Sequence, residues 1–123
     1  MSVETVTWKP GSPYSTAIKA NGFLFVSGSV PIDPATGTLV GETTPDQTRQ
    51  VLTNLKGIVE GAGVPLGNIV KVTVYLTNMD DFAEMNGVYK EFFPQNPPTR
   101  TTVGISSLAR DEFKVEIDLI AAL

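Results

Sequence analysis

The sequence predicts a two-layer α+β domain with a mixed sheet of about six strands and two helices on one face. Two segments carry apolar residues at the three-to-four-residue spacing of an amphipathic helix, and several others alternate between apolar and polar residues as half-buried strands do. Because two helices cannot cover both faces of so wide a sheet, we expect both on the same face. The predicted order is β-β-β-α-β-α-β-β, and 123 residues suit one domain spanning 1–123.

The first three predicted strands span residues 3–8, 15–19 and 23–30. Asn21-Gly22 favours the positive φ angles of a tight turn and predicts a hairpin between the second and third strands. The third strand begins with Phe23–Val26, which is apolar on both faces, as is typical of a strand covered on both sides.

The first helix has a start signal, an apolar stripe and a stop signal. Thr44–Gln47 reads as a capping box, with threonine as N-cap, proline at N1 and glutamine at N3. Gly61 and Gly63 end the helix, and Pro65 blocks its continuation. The apolar stripe between these signals consists of Val51, Leu52, Leu55, Ile58, Val59 and Ala62.

The remaining elements follow from the same two periodicities. In the strand 69–77 the predicted core face is Val70, Val72, Val74 and Leu76, and the other face carries Lys71, Thr73, Tyr75 and Thr77. Asp80 is predicted to cap a second helix, which buries Phe82, Met85, Tyr89 and Phe92 and ends before Pro94. Further strands are predicted over 99–105 and 113–121.

The sheet face turned away from the helices mixes polar and apolar side chains. Lys71, Tyr75, Glu116 and Asp118 share it with the apolar strand Phe23–Val26. Such a face is typical of a subunit interface in which polar groups line a site between chains, so we expect oligomerisation through the sheet.

The composition restricts the chemistry. The chain has no cysteine and no histidine, which excludes disulfides, thiolate nucleophiles, Ser-His-Asp triads and Cys/His zinc sites. Nine basic against thirteen acidic residues give a net charge of −4, with no basic run for nucleic acid. No apolar stretch approaches the roughly 20 residues of a membrane span, and the N-terminus lacks a signal-peptide pattern. We therefore expect a cytoplasmic protein without nucleic-acid or membrane partners.

Two charged residues are candidates for a site, although each also fits an ordinary strand position. Arg100, in the proline-stiffened segment 97–102, could bind a carboxylate or phosphate with its planar fork, or make a surface ion pair. Glu116 could orient a water if its face is covered, or could simply be solvated. Asp118 shares the alternation of Glu116, and the sequence does not separate the two.

Weaker candidates are Ser27 and Gly28 at a strand end, Tyr14 in a loop, and Asn86 among the apolar positions of the second helix. A strand bulge, plain packing and a paired amide are the alternative readings of these positions.

Several segments together resemble the Rid family of reactive intermediate deaminases, also called YjgF-like proteins. They are Ser12–Tyr14, VSGSVPIDPATG (26–37), QVLTNLKGIVEGAG (50–63), IVKVTVYLTNMDDFAEMN (69–86), PPTRTTVG (97–104) and VEIDLIA (115–121). The resemblance spans roughly residues 9–121, and the last two segments are its specific part. It implies a chorismate-mutase-like α+β fold, a homotrimer with sites between subunits, and hydrolysis of reactive 2-imino or enamine acids to 2-oxo acids and ammonia without metal or organic cofactor.

The resemblance also implies roles for individual residues. Arg100 matches the arginine that holds the substrate carboxylate, and Glu116 matches the glutamate that positions the attacking water. Tyr14, Ser27 with Gly28, and Asn86 match further pocket positions. Thr102 stands where many members have cysteine, so its hydroxyl can bind substrate but no thiol step is available.

Other departures are Ser29 in place of a frequent glutamine, Ala109 in place of a proline, and a loop near Asp111 that is about one residue longer. Three alternative functions stay open: a pathway-specific aminoacrylate or aminomuconate deaminase, a non-catalytic or chaperone-like module that binds small carboxylates, and a ribonuclease or translation inhibitor. The acidic composition argues against the last.

Overall fold

The computed structural model describes residues 2–123 and has the predicted order of elements. A six-stranded mixed sheet carries two helices, which is an α+β fold. The strands are β1 (Val3–Thr7), β2 (Ala17–Ala20), β3 (Phe23–Ser29), β4 (Ile69–Leu76), β5 (Thr99–Gly104) and β6 (Val115–Ala122); the helices are α1 (Thr44–Gly61) and α2 (Phe82–Phe92).

The strands lie in the order β1-β2-β3-β6-β4-β5. All neighbouring pairs are antiparallel except β4 and β5, which α2 connects as a parallel crossover. The last strand therefore lies in the middle of the sheet, whereas β5 forms one edge. The predicted hairpin is confirmed: Asn21 and Gly22 have φ angles of 51° and 84°, and β2 pairs with β3 directly across them.

One core lies between the helices and one face of the sheet. It contains the predicted stripe of α1, with Ile58 and Ala62 at its margin. From the predicted stripe of α2 it contains Met85 and Tyr89, extended by Val88, whereas Phe82 and Phe92 are only partly buried at its margin. From the sheet it takes alternate residues: Leu24, Val26, Val72, Val74, Leu76, Val115, Ile117 and Leu119. Burial of these side chains against both helices gives the two-layer architecture.

The prediction for Val70 was wrong. A register shift between β4 and β6 at Ile69–Lys71 turns Ile69 into the core and leaves Val70 41% exposed. An irregularity of this kind changes which residues face inward, and strict alternation cannot anticipate it.

The predicted helix caps were also displaced. Thr43, not Thr44, caps α1 by accepting a hydrogen bond from the amide of Asp46. Thr44 lies inside the helix and donates to Asp81 Oδ2 over 2.6 Å, which joins the starts of the two helices. Asp80 does not cap α2: it lies in a 3₁₀ turn, Met79–Asp81, and its own amide donates to Asn78 Oδ1, which caps that turn.

The expectation that β3 is covered on both sides is not met within one chain. Leu24 is fully buried and Val26 is 5% exposed, but Phe23 and Phe25 are 39% and 43% exposed on the opposite face. This open face of the sheet carries two aromatic side chains that the helices do not cover.

Candidate active site

A cavity of about 500 Å³ lies where β3 and β6 meet the loop preceding β6. Its lining residues are Tyr14, Ser27, Gly28, Val30, Ile32, Ala109, Arg110, Phe113 and Glu116. Four residues that the sequence predicted for the site, Tyr14, Ser27, Gly28 and Glu116, therefore come together here from three separate segments.

Glu116 is the only acidic residue lining this cavity. The strand alternation of β6 buries its neighbours Val115 and Ile117 completely on the helix side and leaves Glu116 half-buried on the open face. Burial raises the pKa of Glu116, and the charge of Asp118 raises it further. A carboxylate with a raised pKa in an accessible cavity is suited to accept a proton from water.

Gly28 holds the backbone of β3 directly over Glu116. A methyl group at residue 28 would overlap Oε2 of Glu116 and lie 2.8 Å from its Cδ. The register of β3 against β6 shifts between Val26 and Ser29, so Gly28 lies in a bulge. The bulge brings main chain, rather than a side chain, against the carboxylate.

Ser27 and Tyr14 form one wall of the cavity. The Ser27 hydroxyl donates to the Ser15 carbonyl over 2.7 Å, which ties β3 to the loop that carries Tyr14. The side chain of Tyr14 is 61% exposed at the cavity edge. Ser27 thus positions the loop, while Tyr14 is free to meet a ligand or a second chain.

The structure separates Asp118 from Glu116, which the sequence could not do. Tyr75, whose Cα lies opposite Glu116 in the ladder, donates its hydroxyl to Asp118 Oδ2 over 2.9 Å. This hydrogen bond, with desolvation and the charges of both carboxylates, raises the pKa of Tyr75. Asp118 is therefore paired within the sheet, and Glu116 is the carboxylate that faces the cavity.

Arg100 lies elsewhere, on the edge strand β5. Its Nη1 donates to Asn86 Oδ1 over 2.7 Å, and its guanidinium lies 4.7 Å from the ring centroid of Tyr89 and 5.6 Å from that of Phe82. The amide of Asn86, predicted to need a partner, has one. Two aromatic rings and one hydrogen bond fix the guanidinium, whose other donors can meet an anion.

Thr102 shares the strand face of Arg100, two residues along. Its hydroxyl oxygen is buried and, like the hydroxyl of Tyr89, makes no hydrogen bond within residues 2–123. Burial raises the pKa of Tyr89, and the positive charge of Arg100 partly offsets this by lowering it. The hydroxyl groups of Thr102 and Tyr89 are thus buried polar groups whose hydrogen-bonding capacity is unused.

The predicted site residues thus fall into two groups on opposite faces of the sheet. Arg100 is in register with the buried Val72 and faces the helices, whereas Glu116 faces away from them. Arg100, Asn86 and Thr102 are absent from the cavity lining. Within one chain the two groups therefore lie apart.

Sequence reasoning missed two residues that shape the cavity, Arg110 and Gln47. Gln47 is 1% exposed, and its side chain donates to the Glu112 carbonyl and accepts from the Lys114 amide over 2.9 and 2.8 Å. It was predicted to complete a capping box, but it holds the loop before β6. Gln47 lies one turn before Val51 of the apolar stripe, and this spacing was the available signal that its amide is buried and needs partners.

The chain matches the family model described as Endoribonuclease L-PSP over residues 5–123. It belongs to this family. The match agrees with the resemblance to Rid and YjgF-like proteins, because relatives and solved structures carrying those names align over nearly the whole chain.

Among curated proteins, a RutC family protein of Pyrococcus horikoshii is 53% identical over 113 residues, 92% of this chain and 89% of that protein. Reactive Intermediate Deaminase A, a chloroplastic protein of Arabidopsis thaliana, is 40% identical over 111 residues, 90% of this chain and 59% of that protein. Among solved structures, the Rid family protein YyfA of Yersinia pestis superposes with a TM-score of 0.92 at 36% identity, covering 99% of this chain and 100% of that one.

No three acidic side chains within residues 2–123 come together in a way that could hold a metal ion. Over the same residues, neither helix combines the length and the apolar character needed to cross a membrane.

Proposed function

We propose that this protein hydrolyses reactive 2-imino and enamine acids to 2-oxo acids and ammonia, with Glu116 positioning water and Arg100 binding the substrate carboxylate. The observation that carries the proposal is Glu116, the sole acid of an accessible cavity, held beneath Gly28 with a raised pKa. The name of the Arabidopsis relative, a reactive intermediate deaminase, supports the same reaction class.

The chemistry suits a protein without histidine or cysteine. An imine carbon is already electrophilic, so water can add to it without a strong nucleophile. An enamine acid reacts as its imine tautomer. Water forms a C–O bond to the carbon of the protonated imine, the C=N π electrons move to nitrogen, and Glu116 accepts a proton from the water, which gives a neutral carbinolamine. Glu116 then returns this proton to nitrogen, the C–N bond breaks and ammonia leaves, and the hydroxyl group releases its proton to solvent as the 2-oxo acid forms.

Arg100 supplies binding and orientation in this scheme. A guanidinium that two rings and Asn86 already hold loses little freedom when it binds a carboxylate. The buried hydroxyl of Thr102 offers a further hydrogen bond to the same ligand. Fixing the substrate against a held water is the main contribution that such a site can make.

Because Arg100 and Glu116 lie on opposite faces of one sheet, we propose that each complete site uses Arg100 of one protomer and Glu116 of another. The exposed Phe23 and Phe25 on the open face support association through the sheet, since paired chains would bury them. A closed ring of three chains would form three equivalent sites. The cytoplasmic location stays a prediction, because two relatives are named as mitochondrial and chloroplastic proteins.

The test generates 2-iminopropanoate or 2-iminobutanoate in situ and follows loss of the imine. Wild type should exceed the buffer rate, and Arg100→Ala and Glu116→Gln should each lose about 10²-fold or more in kcat/KM, because positioning fails. Arg100→Lys should recover only part of the rate, since an ammonium lacks the planar fork.

The control variants are Lys56→Gln and Glu60→Gln, which make the same charge changes on exposed positions of α1. Both should keep wild-type rates. A wild-type protein no faster than buffer would refute the deaminase proposal, and ligand binding without turnover would favour the small-carboxylate-binding module instead.

A further inference from the structure

Arg110 is the one basic residue lining the cavity that contains Glu116. An adjoining cavity of about 440 Å³ shares Tyr14, Ser27 and Gly28 with it, and its one charged lining residue is Lys9. The two cavities together thus have two cations and one carboxylate, although the chain carries a net charge of −4. A cationic side chain that lines a cavity can pair with an anionic ligand.

Arg110 has a fixed platform. Its guanidinium lies 5.4 Å from the ring centroid of Phe113, which is 3% exposed, and the Phe113 amide donates to the Arg110 carbonyl over 3.1 Å. The two residues close a turn in which a buried ring supports the arginine. Stacking on an aromatic face restrains a guanidinium while leaving its N–H groups available.

The buried amide of Gln47 holds this turn from below. It bonds the carbonyl of Glu112 and the amide of Lys114, the residues on either side of Phe113. The platform is therefore set by the fold before any ligand arrives, which lowers the entropic cost of binding.

No carboxylate neutralises Arg110. Within residues 2–123 the only ion pair closer than 4.0 Å joins Arg49 to Glu91. Asp111 and Glu112 follow Arg110 directly in the chain but do not pair with it. Its charge is thus available to a ligand in the cavity.

We propose that Arg110 is a specificity residue that selects imino acids carrying a second carboxylate on the side chain. This inference rests on the proposed function, in which Arg100 already binds the carboxylate next to the imine carbon. A second acidic group in the same cavity would be repelled by Glu116, and Arg110 offsets that repulsion.

The test compares two product-like ligands that differ only at the far end, 2-oxoglutarate and 2-oxopentanoate, by calorimetry on the intact protein. Wild type should bind 2-oxoglutarate about tenfold or more tightly, the scale of one charge-assisted hydrogen bond. Arg110→Gln should bring the two affinities close together, and Arg110→Lys should keep part of the preference. Lys56→Gln, which removes the same charge from α1, should leave it unchanged.

The proposal would be overturned if wild type bound both ligands with equal affinity, or bound neither. It would also be overturned if Arg110→Gln lost the same affinity for both ligands. A further contradicting result is that Lys9→Gln, and not Arg110→Gln, abolishes the preference for 2-oxoglutarate. Equal losses would mean that Arg110 binds the carboxylate common to both ligands. The calorimetry measures binding without turnover, so a preference for 2-oxoglutarate can be observed even if the protein is not a deaminase. Conversely, imine hydrolysis can be observed even if Arg110 does not set this preference.

Discussion

Replacing Gly28 by alanine should impair catalysis far more than folding. The added methyl group would overlap Oε2 of Glu116 and lie 2.8 Å from Cδ and 3.2 Å from Cγ. Ordinary contacts between such atoms are about 3.5 Å or longer, so the carboxylate must move by about 1 Å. The atoms that must move belong to the end of a flexible side chain facing a cavity, so we expect a loss of stability of only about 1 kcal/mol.

A displacement of about 1 Å at a water-positioning group can cost about 10²-fold in rate. Gly28→Ala should therefore lower kcat/KM for imine hydrolysis by about that factor, with a urea unfolding midpoint close to wild type. Gly57→Ala is the matched control, because a methyl group at residue 57 meets nothing within 4 Å. Alanine in the interior of α1 should raise the free energy of unfolding by about 0.5–1 kcal/mol and leave the activity unchanged. Full activity in folded Gly28→Ala would refute the role given to the contact between Gly28 and Glu116.

Three further predictions concern the groups around the cavity. Because the pKa of Glu116 is raised in the folded state, ionisation of this carboxyl group at neutral pH destabilises the fold. Glu116→Gln should therefore raise the melting temperature at neutral pH. This gain should vanish below the usual glutamate pKa, where Glu116 is protonated in both the folded and the unfolded state. An unchanged difference across pH would contradict this. Asp118→Asn removes the negative charge that, after burial, contributes to the raised pKa of Glu116. The acid limb of the pH profile of kcat/KM should therefore move to lower pH. An acid limb that stays in place or moves to higher pH would contradict this prediction. Gln47→Leu leaves the Glu112 carbonyl and the Lys114 amide without their hydrogen-bond partner. It should lower the free energy of unfolding, measured in urea, by about 3 kcal/mol. A change near zero would mean that water replaces the glutamine amide.

The sequence predicted the fold well because the signals were local. The stripes of both helices and the Asn21-Gly22 hairpin depend on spacing and turn chemistry within a few residues. The errors came from contacts that no local pattern encodes. The shift at Ile69–Lys71 depends on how β4 pairs with β6, and Thr44 donates to Asp81, 37 positions away.

The candidate site shows the same division. Alternation placed Glu116 on the open face, but only the hydrogen bond from Tyr75 distinguishes it from Asp118. The resemblance identified Arg100, yet the parallel register with Val72 places it on the other face of the sheet. The sequence pattern named candidate residues, whereas their distribution between the two faces of the sheet follows from the topology.

In the proposed site, Arg100 of one protomer and Glu116 of another act on the same substrate. Complementation between two inactive variants tests it directly. Arg100→Ala and Glu116→Gln chains are unfolded together, refolded as an equal mixture, and assayed for imine hydrolysis beside each variant alone.

If the sites lie between protomers, each residue is intact in half of the chains, and about a quarter of the sites regain both. The mixture should then recover about a quarter of the wild-type rate. A mixture that is confirmed to contain mixed oligomers and yet is no more active than either variant alone would contradict the shared site.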